Sequence, residues 1–250
     1  MSAIAAVAAA PVGAAVGLAA GWLSTVLERV EGLEAEDRED REAYERELAE
    51  ATTAAAEAGG PPVAAESWPE ERYGWTWLER VLCPLLGAIG FAAFASHDPF
   101  GSGLIIHLVW VAVFVQIVGF DLKHRLILNR VTYPALVLAV VLSLVSPGLT
   151  IEMALVGGVA IGGFFLIMNV VSRGGIGLGD AKLGALVGTV CGIGFDLNHL
   201  AALYAVIYGI FLGGLVALVL LVLRLRGLKD PIPFGPFLCI GATLILFRGL

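Results

Sequence analysis

The chain has 250 residues, 58% of them hydrophobic, with a mean hydropathy of +0.89. An apolar share that high excludes an ordinary soluble domain and predicts an all-α fold, a polytopic bundle of about eight transmembrane helices. The net charge of −7 comes from one acidic segment, so membrane lipid is an expected partner and nucleic acid is not. The three cysteines, Cys83, Cys191 and Cys239, stand singly in apolar runs. Without a C-x-x-C they suggest neither a disulfide framework nor a thiolate zinc site, and no metal is expected.

In chain order, residues 3–27 form an apolar run long enough to span a bilayer. It lacks a basic n-region, so it reads as a retained helix rather than a cleaved signal. Gly13, Gly17 and Gly21 make a small-residue face suited to close helix packing. Residues 28–77 form a second region, an acidic loop with a helix. Opposite charges recur there at i,i+4 (Glu34–Arg38, Asp37–Arg41, Glu42–Arg46), which supports a solvated helix. Gly59-Gly60-Pro61-Pro62 ends it, and Trp68, Tyr73, Trp75 and Trp77 lead back to the membrane interface. Residues 78–250 form the third region, with apolar runs at about 78–96, 101–120, 131–146, 151–171, 181–195, 200–223 and 232–247. The runs at 131–146 and 181–195 are short for a span.

Charge sets the orientation. With the loop at 28–77 inside and the helices alternating, every Lys and Arg except Arg248 falls on the cytoplasmic side. The opposite orientation inverts the whole bias and is rejected. Both termini are then expected outside.

Two acids flank apolar runs on the cytoplasmic side. Asp121 ends one run in Gly119-Phe120-Asp121-Leu122-Lys123-His124-Arg125, and Asp180 opens another in Gly174-Gly175-Ile176-Gly177-Leu178-Gly179-Asp180. An acid at the edge of a hydrocarbon-length segment is costly and is a functional candidate; the plainer reading of Asp180 is a helix cap after a glycine turn. Asp98, Glu152 and Asp196 fall on the opposite face, and Asp230 reads as a loop acid. Two carboxylates sharing a site hold one proton between them near neutrality. The ionised one can take a proton from water while the neutral one protonates a peptide carbonyl, the aspartic-protease arrangement. No nucleophilic Ser or Cys with a partnering His is evident. His124 reads as part of a solvated basic loop, and His97, His107 and His199 as loop or packing residues. Pro231, Pro233 and Pro236 prevent a regular helix. Irregular backbone at membrane depth survives only in protein or beside a wet cavity. Pro233, Phe234, Gly235 and Pro236 are therefore a candidate substrate cleft, or a stiffened entry to the last helix.

Three segments in this order resemble the type IV prepilin peptidase family, membrane aspartyl proteases of the G-x-G-D group. Gly177-Leu178-Gly179-Asp180-Ala181-Lys182-Leu183 resembles the second aspartate motif; Asp121 with Ile127-Leu128-Asn129 resembles the first, with Leu128 where the family usually has proline; Lys229-Asp230-Pro231-Ile232-Pro233-Phe234-Gly235-Pro236-Phe237-Leu238 resembles the K-x-x-I-P-F-G-P-F-L segment. The resemblance covers residues 78–250 well and Gly17 to Arg29 more loosely. It implies a multi-pass protein of a bacterial or archaeal inner membrane, with Asp121 and Asp180 catalytic on the cytoplasmic side. Gly177, Gly179 and Lys182 then form the supporting loop, with the two glycines letting the backbone bend. Lys182 either stabilises charge beside Asp180 or serves only as a positive-inside residue. The implied substrates are prepilins or pseudopilins of pili or secretion systems, cut between a basic leader and a hydrophobic helix. Proteolysis implies no cofactor. Many members also N-methylate the new terminus with S-adenosylmethionine, and those commonly carry two cysteine pairs binding zinc. Residues 28–77 contain no cysteine, although Glu79 resembles a family element following that loop, so methylation stays open. Two alternatives remain at this stage: a presenilin or signal-peptide-peptidase-like protease, and a non-enzymatic assembly subunit or transporter. In the former, Pro-Ala-Leu follows the G-x-G-D; here Pro134-Ala135-Leu136 precedes it and reads as a helix start.

Overall fold

The computed structural model describes residues 2–57, 73–173, 175–194, 199–225 and 232–249. Every regular element among them is helical: α1 (Ser2–Glu31), α2 (Leu33–Glu57), a π-helical turn (Leu78–Leu82) running into α3 (Cys83–His97), α4 (Ser102–His124), α5 (Asn129–Ser143), α6 (Ile151–Val171), α7 (Leu178–Cys191), α8 (Ala201–Val222) and α9 (Gly235–Arg248). The chain is a polytopic helical membrane bundle. Gly59 to Pro62, Trp68, Arg72, Gly174, Asp196, Lys229, Asp230 and Pro231 lie outside the described residues.

The eight apolar runs of the sequence become eight helices in the same order, but not of equal length. Among the described residues, α1, Leu78–His97, α4, α6 and α8 are long and apolar enough to cross a bilayer. The helices α5, α7 and α9 have only 15, 14 and 14 residues, against the roughly 20 that a bilayer core requires. α5 also starts earlier than its apolar run, because Asn129 and Arg130 are polar yet helical. Pro134 therefore lies inside α5 and does not begin it. The charged helix α2 stands in solvent, with exposed pairs at Arg46–Glu42 (3.4 Å) and Arg41–Glu45 (3.0 Å).

The centre of the bundle is built from α4, α7 and α9. α4 is buried without interruption from Phe114 to Asp121, and α7 from Leu186 to Cys191. A helix apolar on all sides belongs in such a position. α6 and α8 instead turn Val159, Val170, Phe211 and Val222 outward. Lipid tails are as apolar as these side chains, so close packing holds the helices together rather than escape from water. Small residues make that packing: α1 meets α3 where Gly13 faces Gly87 and Gly17 faces Cys83, and α6 meets α7 where Gly157 faces Gly188. A Cβ at any of these glycines would overlap the facing backbone. The stripe at Gly13, Gly17 and Gly21 is thus a packing face. All three cysteines are buried and free.

Candidate active site

The three short helices share a starting point. Ile127 and Asn129 at the head of α5, Gly177 to Asp180 at the head of α7, and Ile232 to Phe234 before α9 line one cavity of about 470 Å³. Asp121, Arg125 and Lys182 line it as well. Three helix N-termini thus converge on one space, and their exposed N–H groups and dipoles favour negative charge there.

Asp121 enters from the last turn of α4 and is only 3% exposed. Its carbonyl accepts the N–H of Arg125 at 2.8 Å, and Arg125 closes the helix in a left-handed conformation (φ 53°). That turn sends the chain sharply into Ile127 and Leu128, both buried; Leu128 is the N-cap of α5 and is held through its carbonyl by the Thr132 hydroxyl at 2.9 Å. Leu128 does what a proline would do there, since its φ of −71° and ψ of 130° are values proline adopts. The Asp121 carboxylate accepts the backbone N–H of Gly235 at 3.1 Å, across 114 residues.

Asp180 is half-buried and lies in the first turn of α7, whose N-cap is Gly177. It is therefore not the N-cap residue. Its carboxylate reaches back to the Gly177 backbone, the reciprocal half of a capping box. Asp121 and Asp180 lie close enough to interact electrostatically.

The supporting residues take places that differ from simple expectation. Neither Gly177 nor Gly179 has a positive φ, so neither provides a special bend. A Cβ on Gly179 would stand 3.1 Å from the Ile127 Cβ; the glycine lets the heads of α5 and α7 approach. The Lys182 ammonium does not point at Asp180. It donates to the Asn129 Oδ1 at 2.7 Å and sits 5.6 Å from the centre of the Tyr133 ring. Pro233 and Phe234 line the cavity, whereas Gly235 and Pro236 are buried in its wall as the first turn of α9.

A second polar group lies on the other side of α4. The Lys123 ammonium is 2% exposed and donates to the Glu28 Oε1 (2.5 Å), the Glu79 Oε1 (2.8 Å) and the Gly74 carbonyl (2.7 Å). Glu28 also accepts from the Gly74 N–H at 2.9 Å and pairs with the His124 Nε2 at 3.0 Å; Glu79 accepts the Thr76 N–H at 2.8 Å and the Thr76 hydroxyl. His124 is packed against Tyr73 and Phe120 and is only 5% exposed. It is a buried member of this cluster and not part of a solvated loop. Sequence reading missed the cluster because Glu28 and Glu79 sit at the two ends of the charged segment. Both also abut apolar runs, the signal that singled out Asp121 and Asp180. On the opposite face, the His107 Nδ1 meets the Asp98 Oδ2 at 2.6 Å, and His97 packs on Phe247. Among the described residues, no group of three or more His, Cys, Asp or Glu could hold a metal ion.

Residues 106–221 match the model of the type IV leader peptidase family. Over that segment the chain is similar to the family. The matched segment holds both Asp121 and Asp180. Among curated relatives, the chain is 28% identical over 184 residues to a prepilin leader peptidase/N-methyltransferase of Dichelobacter nodosus (69% of this chain, 57% of that protein). It is 28% identical over 178 residues to one of Xanthomonas campestris (69% and 60%), and 27% over 165 residues to one of Bacillus subtilis (66% and 64%). The chain thus spans less than two thirds of the length of these relatives. No solved structure matches it.

Proposed function

We propose that the chain is a membrane aspartic endopeptidase that removes the basic leader of prepilin-like substrates at the cytoplasmic face. The observation that carries this reading is the placement of Asp121 and Asp180 on one cavity, at the heads of three helices too short to span. Helices of 14 or 15 residues reach about 21–23 Å at 1.5 Å per residue. They fall short of a hydrocarbon core of roughly 30 Å, so one end of each is recessed, and on this reading that end is the head that bears the cavity. The Lys and Arg bias supports the cytoplasmic side.

In this mechanism the two carboxylates share one proton. The ionised acid takes a proton from a water molecule as its oxygen bonds to the scissile carbonyl carbon. The other acid protonates the carbonyl oxygen. Collapse of the tetrahedral intermediate breaks the C–N bond: the nitrogen takes the proton held by the first acid, and a hydroxyl of the intermediate returns its proton to the second acid, which restores the one-proton pair. The substrate class comes from the names of the relatives.

N-methylation, the second activity in those names, is outside this proposal. The residue that resembles a family element there, Glu79, is engaged by Lys123 and Thr76. Asp121→Asn and Asp180→Asn should each abolish cleavage of a prepilin in reconstituted membranes, with the helix content and unfolding temperature of the parent retained. Normal cleavage by either variant would sink the mechanism.

A further inference from the structure

Beside the acid-bearing cavity lies an apolar groove of about 430 Å³ between α5, α6 and α7. Leu178 and Lys182 line both spaces. The bridge from Lys182 to Asn129, over Tyr133, stands at the junction, since Asn129 faces the cavity and Tyr133 the groove. From there the groove follows α7 from Leu178 to Thr189, a length of about 16 Å at 1.5 Å per residue. Its floor is small: Gly158, Gly162, Gly163 and Ala185. Gly158 and Gly162 face α7 directly, so a Cβ on either would overlap it. Gly163 opens onto empty space, with nothing within 4 Å of a Cβ built there.

We propose that this groove seats an apolar transmembrane helix of the protein substrate and so delivers the adjoining chain to Asp121 and Asp180. The proposal rests on the proteolytic reading above. The choice of occupant follows from position. The groove runs alongside membrane-spanning α6, so an occupant's backbone must satisfy its own hydrogen bonds, and a helix does so. Gly163 presents no side chain to the groove, so a helix backbone can approach α6 closely there. Continuity with the acid cavity makes the occupant a substrate rather than a permanent neighbour, because whatever fills the groove has one end at the acids.

The test uses a designed membrane substrate with a basic leader, a cleavage site and a Leu/Ala helix of about 20 residues carrying one cysteine. The native cysteines are buried, so an added one is addressed selectively. In an Asp121→Asn background, Val159→Cys, which is 76% exposed and lines the groove, should form a disulfide with the substrate helix on oxidation. Phe211→Cys, 66% exposed on α8 and outside the groove, should not. Equal cross-linking at both positions, none at Val159→Cys, or cross-linking of Val159→Cys to a second copy of the chain would overturn the proposal. Gly163→Leu in the otherwise unaltered protein adds a side chain on the groove from a position whose Cβ meets no other atom. It should lower kcat/KM for the anchored substrate by about tenfold or more while leaving cleavage of a soluble peptide that ends just after the scissile bond unchanged. Gly214→Leu on α8, which also meets nothing, should leave both unchanged. Equal loss on both substrates in Gly163→Leu, or loss on neither, counts against the groove. A Val159→Cys protein with Asp121 and Asp180 intact that cross-links to the substrate helix yet cuts neither substrate supports the docking and overturns the proteolytic reading.

Discussion

Gly235 shows how closely the acid is held. Its N–H donates to the Asp121 carboxylate, and a Cβ built on it would lie 2.6 Å from the Asp121 Oδ2 and 3.3 Å from Leu183 Cδ2. Leu183 is fully buried on α7, so the carboxylate has to give way. Gly235→Ala should therefore rotate Asp121 away from the cavity at a modest cost to the fold, about 1–3 kcal/mol for overpacking. A displacement near 1 Å of a reacting group costs on the order of a hundredfold in rate, so cleavage should fall far more than stability. Parallel measurement of kcat/KM and of unfolding in detergent checks this. An active Gly235→Ala, or one whose loss of activity is matched by unfolding, would remove Gly235 from the positioning of Asp121. This contact was not legible in the sequence. Proline spacing marks Pro231 to Pro236 as irregular backbone, but which carboxylate it meets, 114 residues away, is decided by the packing of α9 against α4. Gly179 was legible as a required glycine and not for its reason, since close approach to Ile127 and a positive φ leave the same residue in the sequence.

At the level of the elements, α4 is fixed from both sides at its C-terminal end. On one side Asp121 meets the head of α9. On the other Lys123 ties α4 to α1 through Glu28, to the start of α3 through Glu79, and to the returning chain through Gly74. A buried ammonium shared by two carboxylates is not a strong source of net stability, but removing it leaves the Glu79 charge unpaired and Glu28 with His124 alone. Lys123→Met should destabilise the protein by about 3–5 kcal/mol, seen as a lower unfolding midpoint in detergent. Adding Glu28→Gln and Glu79→Gln to it should recover most of that loss, because the buried charges are then gone. A triple variant no more stable than Lys123→Met would show that the cluster acts through shape and not charge. The cluster escaped a reading by composition because α2 and its flanks are dense in acids. Periodicity cannot distinguish Glu28, which faces Lys123, from the acids of the solvated helix. The ends of α5 escaped for a related reason: Asn129 and Arg130 break the apolar run but not the helix.

For the whole molecule, the order of helices and the placing of the two acids at one end of the bundle were readable from the chain because membrane physics is restrictive. Long apolar runs must be helices, and basic residues gather on one side, so alternation alone puts Asp121 and Asp180 on the same face. The same argument puts the loop between α3 and α4 on the other face, which gives a test independent of catalysis. Phe100 in that loop is 93% exposed, and Arg130 near the head of α5 carries a side chain that is 59% exposed. All three native cysteines are buried, so a single added cysteine reports its own position. In intact cells stripped of any outer barrier, a membrane-impermeant maleimide should label Phe100→Cys and leave Arg130→Cys untouched. In inside-out vesicles the pattern should reverse. Labelling of both positions from one side would break the alternation of α3 and α4 across the membrane. The inverse pattern would put Asp121 and Asp180 outside, where a basic leader held in the cytoplasm could not reach them.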